Sequence, residues 1–273
     1  AKETLPYAII YFLMTTYYRI DGVMLEKLQG ANGATESGIY AQGYRIMESL
    51  NNIGYLFAGI LLPLFAYKIS KNIEIKTLLK SGLSIMFCVA VSIIVCLFWY
   101  KEDIMKLLYT SANTSYSAEV FGYLLLNFFP VAILYVIGTL LTANQNFKLM
   151  IYTLVIAVIL NISLNFYLIT NLGAKGAGIA TLITQIFMLI CYTIYSIRIF
   201  KINVQLRYLF QLAAFAGICC VIIYFIEKIQ FSRNPLYDLL AHISVYFLFM
   251  PLLCYATGLI NVNTLKLKVG ASE

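Results

Sequence analysis

Charge is what this sequence has least of. Asp, Glu, Lys and Arg make up 11% of its 273 residues, while 62% are hydrophobic; a soluble domain carries roughly a quarter charged residues. Histidine and tryptophan occur once each and proline five times. One histidine excludes a His-rich metal cluster, and all six cysteines (Cys88, Cys96, Cys191, Cys219, Cys220 and Cys254) fall inside apolar runs. There they act as small hydrophobes, so neither a disulfide framework nor a metal site is expected. No nucleophile elbow, dinucleotide fingerprint or pair of carboxylates at glycosidase spacing is present. The expectation is a protein that is not an enzyme and uses no cofactor. The net charge of +7 is spread through short loops rather than gathered on one face, which argues against nucleic acid as a partner.

What the sequence does have is apolar runs of about 20 residues that do not alternate every second position, the signature of membrane-spanning helices rather than a barrel. The predicted fold is an all-α, polytopic membrane helix bundle of about eight spans. These run from Leu5 to Leu28, Ser37 to Ile69, Thr77 to Tyr100, Val120 to Ala143, Leu149 to Thr170, Gly176 to Ile197, Tyr208 to Ile226 and Leu236 to Ile260. Lys68, Lys71, Lys76, Lys80, Lys148, Arg198, Lys201 and Arg207 gather in the loops on one side, the side shared by both termini. Lys27, Lys101, Lys106, Lys175, Lys228 and Arg233 lie on the other, balanced by acidic residues. The positive-inside rule then makes both termini cytoplasmic. The longest outer connection, residues 101–119, carries an amphipathic stretch from Ile104 to Tyr109 expected to rest at the interface. The chain starts at Ala1 without an initiator methionine or signal sequence, and is expected to be a piece of a longer protein.

The first two spans contain ionisable residues: Arg19 and Asp21 in one, Arg45 and Glu48 in the other. A charge at mid-bilayer costs about 2.5–3.5 kcal/mol on insertion scales, so such groups persist when paired or facing water inside the protein. With the turn near Asn32, Arg19 and Arg45 lie at similar depth, Asp21 within a turn of Arg45 and Arg19 within a turn of Glu48. Residues two apart on a helix point to opposite sides, so Arg19 and Asp21 cannot both face the second span. The expected arrangement is Asp21 orienting Arg45, with Arg19 turned to a neighbouring helix or a wet lumen. A structural clamp holding the hairpin together is the competing reading. Two arginines in a lumen suit a phosphate-bearing substrate.

Further along, Asn161 and Asn165 sit one turn apart on one face, ready to bond another helix or a ligand. Gly176 with Ala180 and Ala177 with Thr181 give small residues at helical spacing, which suits close helix contact. His242 is a lone histidine near the end of a span, where local hydrogen bonding outweighs a proton-relay role.

These residues resemble a family. Tyr18-Arg19-Ile20-Asp21 with Met24-Leu25, followed by Gly38-Ile39-Tyr40, Tyr44-Arg45 and Glu48, is similar to the seventh and eighth helices of bacterial polysaccharide flippases. Those are the Wzx-type O-antigen and capsule exporters of the multidrug/oligosaccharidyl-lipid/polysaccharide superfamily. Asn161 and Asn165, running through Leu168-Ile169 into Leu172-Gly173-Ala174, Gly176-Ala177 and Ile179-Ala180-Thr181, are similar to the eleventh helix and the start of the twelfth. Gly138 to Asn144 resembles the tenth. The likeness implies a MATE-like protein of two six-helix lobes around a cavity plus two peripheral helices. Residues 1–200 would be the second lobe, and residues 201–273 the peripheral pair and a cytoplasmic tail. It implies flipping of undecaprenyl-diphosphate-linked repeat units across the bacterial inner membrane. The implied partners are the missing N-terminal lobe, the lipid-linked oligosaccharide, the bilayer and the polysaccharide polymerase machinery. Arg19, Asp21, Arg45 and Glu48 match the family's charged positions, and Asn161 and Asn165 join them as lumen candidates. A multidrug or cation antiporter of the same fold is the alternative, and a membrane glycan polymerase or ligase a more distant one.

Overall fold

Long runs of apolar residues interrupted by short polar turns leave the backbone one way to satisfy its hydrogen bonds in lipid, and the chain takes it. The computed structural model describes residues 5–109, 114–203 and 205–259, and every regular element among them is helical. In order these are α1 (Leu5–Leu28), α2 (Gly33–Ser70), α3 (Lys76–Trp99), α4 (Lys101–Leu108), α5 (Thr114–Ala143), α6 (Phe147–Leu172), α7 (Ala174–Phe200), α8 (Leu206–Glu227) and α9 (Pro235–Ala256). A single 3-10 turn at Gly30–Asn32 joins α1 to α2.

Eight of these helices match the eight expected spans to within a few residues, but only seven are both long and apolar enough to cross a membrane unaided. The exception is α1, whose 24 residues include Arg19, Asp21, Glu26 and Lys27. The expected eight-span count is thus met in helix length and not in hydropathy.

The centre of the bundle is α5. Phe121, Leu125, Phe128, Ala132, Val136 and Leu140 recur at helical spacing and are fully buried, and 67% of its apolar window is enclosed by neighbours. It packs chiefly on α2, α3 and α7. By contrast few side chains of the 38-residue α2 are fully buried, and one face of it, carrying Arg45, Glu48, Tyr55 and Leu56, is exposed. The α8–α9 pair attaches to one flank, where Phe215, Cys219, Ile223, Tyr246 and Met250 pack with Cys96, Phe121 and Leu125. All six cysteines are free thiols.

Part of the stretch expected to lie at the interface belongs to this core. In α4, Ile104 and Met105 are buried against the cluster that holds Ala118 and Phe121. Its buried face is therefore answered by protein, while Leu107 and Leu108 stay exposed. α5 also begins at Thr114, so the connection is shorter than residues 101–119 suggested.

At the α6–α7 turn the small residues fill the packing role foreseen for them. Gly173 closes α6 with φ 59°, in the left-handed region, and a Cβ there would meet the carboxylate of Glu36. A Cβ on Gly176 would strike the backbone carbonyl of Leu168. Gly176→Ala is expected to lower stability by about 1–3 kcal/mol, because backbone rather than a movable side chain must yield. Thermal unfolding in detergent reads this directly, and an unchanged midpoint would contradict the close approach.

Candidate functional site

Asp21 lies in the second half of α1 and is 2% exposed. Three neighbouring helices donate to its carboxylate. Tyr40 Oη of α2 reaches Oδ2 at 2.7 Å, Thr181 Oγ1 of α7 reaches the same oxygen at 2.5 Å, and Asn165 Nδ2 of α6 reaches Oδ1 at 2.7 Å. Asn165 Nδ2 also reaches Asn161 Oδ1 at 3.0 Å, and Tyr17 Oη donates to the Thr181 carbonyl at 3.4 Å. Four helices thus converge on one carboxylate. Among the described residues no Lys or Arg forms an ion pair with it. Neutral donors reduce the cost of burying that charge without cancelling it. Asn161 Nδ2 and Asn165 Oδ1, both buried, have no partner of their own, which leaves the cluster a spare donor and a spare acceptor.

The expected Asp21–Arg45 pair is not formed. Arg45 follows Tyr40 by five residues, about 140° around the α2 axis, and its side chain is exposed. Arg19, two residues before Asp21, points away from the carboxylate and is exposed too, as is Glu48. The four charges therefore separate into one buried acid and an exposed group of three. Arg19 and Glu48 both lie within electrostatic reach of the Tyr44 hydroxyl, and Arg45 shares a face of α2 with Glu48. The Tyr44 ring stacks on Tyr40 at 5.9 Å and 19°. A two-tyrosine stack therefore connects the buried carboxylate to the exposed arginine surface.

The sequence reading singled out Asp21, Asn161 and Asn165 separately and missed Tyr40 and Thr181 as their partners. Depth could have found Tyr40, since it lies within a turn of the position that mirrors Asp21 across the hairpin. Nothing in the sequence alone points to Thr181.

A second polar junction ties together three turns at the same end of the bundle. Glu36 in the first turn of α2 accepts from Tyr116 Oη of α5 at 2.7 Å and from the backbone N–H of Ala174 at 2.6 Å, so its carboxylate sits at the N-terminus of α7. Gln29 Nε2 donates to the Ile169 carbonyl, and Lys175 pairs with Glu119. Around them lies a cavity of about 350 Å³. His242 lies elsewhere, at the α8–α9 end, bonded through Nε2 to the Ile229 carbonyl at 2.9 Å. A carbonyl can only accept, so Nε2 carries the proton, and the histidine's bond is local.

No curated protein matches the chain in sequence. Among solved structures, one described as lipid II flippase MurJ in an inward closed conformation superposes with a TM-score of 0.68 at 17% identity, covering 94% of this chain and 55% of its own. A MOP superfamily transporter from Pyrococcus furiosus, described as having a binding pocket of reversed polarity that suggests a different function, gives 0.61 at 15% identity, covering 93% and 61%. The chain thus spans little more than half the length of these structures, and at such identity they establish the fold. The match in sequence is to the family model described as lipid II flippase MurJ, and it runs over residues 37–243. That range takes in Arg45, Glu48, Asn161, Asn165 and Thr181, and with it most of the chain, which therefore belongs to the MurJ lipid II flippase family.

Proposed function

We propose that this chain is the second lobe and peripheral helix pair of a transporter that flips a polyprenyl-diphosphate-linked oligosaccharide across the bacterial cytoplasmic membrane. The family match over residues 37–243 is the observation that carries this reading. A flippase moves its substrate without making or breaking covalent bonds, so the chain is a transporter component and not an enzyme. In this reading residues 1–200 form the lobe and residues 201–273 the peripheral pair and tail. Both termini face the cytoplasm, and the first lobe of the same protein closes the cavity against the exposed face of α2. Arg19 and Arg45 supply bidentate contacts to the substrate diphosphate, and Glu48 sets their positions. Asp21, Asn161 and Asn165 lie behind them, where gain and loss of a proton or small cation would bias one lobe orientation over the other.

The family name points to lipid II as the substrate. A second reading, undecaprenyl-diphosphate-linked repeat units of O-antigen or capsule handed to a polymerase, is favoured by the residues from Tyr18 to Glu48 and Asn161 to Thr181 that resemble Wzx-type exporters. Both substrates present the diphosphate that the arginines would meet. Depleting the full-length protein and identifying the lipid-linked species that accumulates on the cytoplasmic face separates the two. Lipid II build-up with cell lysis supports the first, and repeat-unit build-up with loss of surface glycan supports the second. Accumulation of neither, with new sensitivity to cationic dyes, would overturn both in favour of an antiporter.

A further inference from the structure

The cleft between α4, the end of α8 and the start of α9 takes no part in the proposed flipping route. It has a volume of about 620 Å³. Asp103 of α4, Glu227 of α8 and Asp238 of α9 all line it, and among the described residues Lys106 is the one lysine or arginine in its wall, with His242 beside Asp238. Asp238 has His242 at 3.6 Å and accepts the backbone N–H groups of Phe231 and Ser232. Asp103 and Glu227 form no ion pair among the described residues, while Lys106 reaches Glu102 at 3.7 Å. The cleft therefore carries surplus negative charge from three separate helices.

Its inner wall is Tyr100, 6% exposed and stacked on His242 with ring centroids 5.8 Å apart. The Tyr100 hydroxyl is buried and has no hydrogen-bond partner. A tyrosine phenol is protonated at neutral pH, so it keeps a donor to offer. An orphaned hydroxyl of this kind is costly unless something completes it. The surroundings say where the ligand comes from. The membrane-crossing helices α3, α8 and α9 all end or begin here; Leu107 and Leu236 of the lining are exposed, as are Phe98, Trp99 and Leu108 next to lining residues in the chain. Exposed aromatic and aliphatic side chains at span ends mark the boundary between headgroups and acyl chains.

We propose that this cleft binds the headgroup of an ethanolamine phospholipid. The ammonium group sits among Asp103, Glu227 and Asp238, the phosphate lies towards Lys106 and the Tyr100 hydroxyl, and the acyl chains run along the exposed leucines. A primary ammonium has three N–H donors for the carboxylates, whereas choline has none, and an anionic headgroup is repelled. The site thus selects ethanolamine over both.

Trp99, the sole tryptophan of the chain, is exposed and precedes Tyr100, so it serves as the fluorescent probe. The intact protein, with any tryptophan outside this chain replaced by phenylalanine, is reconstituted in bilayers containing acyl-brominated phosphatidylethanolamine, phosphatidylcholine or phosphatidylglycerol. Stronger quenching of Trp99 by the ethanolamine lipid at equal mole fraction is expected. Asp103→Asn combined with Glu227→Gln should reduce that preference about fivefold with circular dichroism unchanged. Tyr100→Phe is the second readout. Removing a merely orphaned hydroxyl would raise stability equally in every lipid, whereas loss of a ligand contact lowers the ethanolamine preference and removes the stability that lipid confers. Equal quenching by all three lipids overturns the proposal, as does a preference that survives the double variant. Full competition by soluble phosphoethanolamine also overturns it, by showing a site for a free amine.

Discussion

Asp21→Asn in the full-length protein should abolish translocation while leaving the protein folded and at its normal level. The reason lies in the geometry of the amides. Asn keeps one oxygen to accept from Tyr40 and Thr181, which now share Oδ2. Its new NH₂ would face Asn165 Nδ2, but joint rotation of the Asn165 and Asn161 amides brings Asn165 Oδ1 into place to accept from the new amide and from Asn161 Nδ2. The packing survives and only the ionisable group is lost. Asp21→Ala is different, because it strands three buried donors from three helices at once. Interhelical hydrogen bonds in membranes average about 0.6 kcal/mol and reach about 1.7, and an unsatisfied buried donor costs about 1–3 kcal/mol. A loss of about 2–4 kcal/mol and a fall in protein level are expected. Transport assays and thermal unfolding on the two variants together decide the matter. Normal transport by the asparagine variant would make Asp21 a structural tie and nothing more.

The second large effect is expected at Arg45, with the opposite balance of stability and function. Its side chain is exposed and forms no ion pair among the described residues, so Arg45→Ala should change stability by no more than about 0.5 kcal/mol. Flipping should nevertheless be lost, because the diphosphate would have lost its bidentate partner. Arg45→Lys keeps the charge and loses the planar fork, so partial activity is expected. Flipping of the lipid-linked substrate, measured beside protein level, distinguishes these outcomes. If the alanine variant disappears from the membrane, Arg45 is holding helices together after all. If it flips normally, it has no part in substrate contact.

The division between what could and could not be read from the chain follows from how helices encode position. Span ends were legible because polar turns interrupt apolar runs, and the expected end of the first span at Leu28 is the end of α1. Depth was legible as well, because rise per residue is fixed; Asp21 does meet a residue of α2 near its own level. Rotation about the helix axis was not. One hairpin's sequence cannot say which side of α1 will meet α6 and α7, elements that begin more than a hundred residues later. Hence Arg45 was chosen where Tyr40 stands. Residue spacing did show that Arg19 and Asp21 must face apart, and they do. Asn161 and Asn165 stood out as polar groups on an apolar helix, but their carboxylate partner is visible only in three dimensions. In α4 the pattern showed that one face is covered, and the structure supplies what covers it: Ile104 and Met105 pack with Ala118 and Phe121.

The low hydropathy of α1 bears on how the protein is made. A segment carrying Arg19, Asp21, Glu26 and Lys27 enters lipid poorly by itself. The groups that shelter its carboxylate, on Asn165 and Thr181, emerge from the ribosome 144 and 160 residues afterwards. Integration of α1 is therefore expected to be late and assisted, completed once α6 and α7 have been threaded, so a nascent chain truncated before α6 should leave α1 outside the bilayer interior.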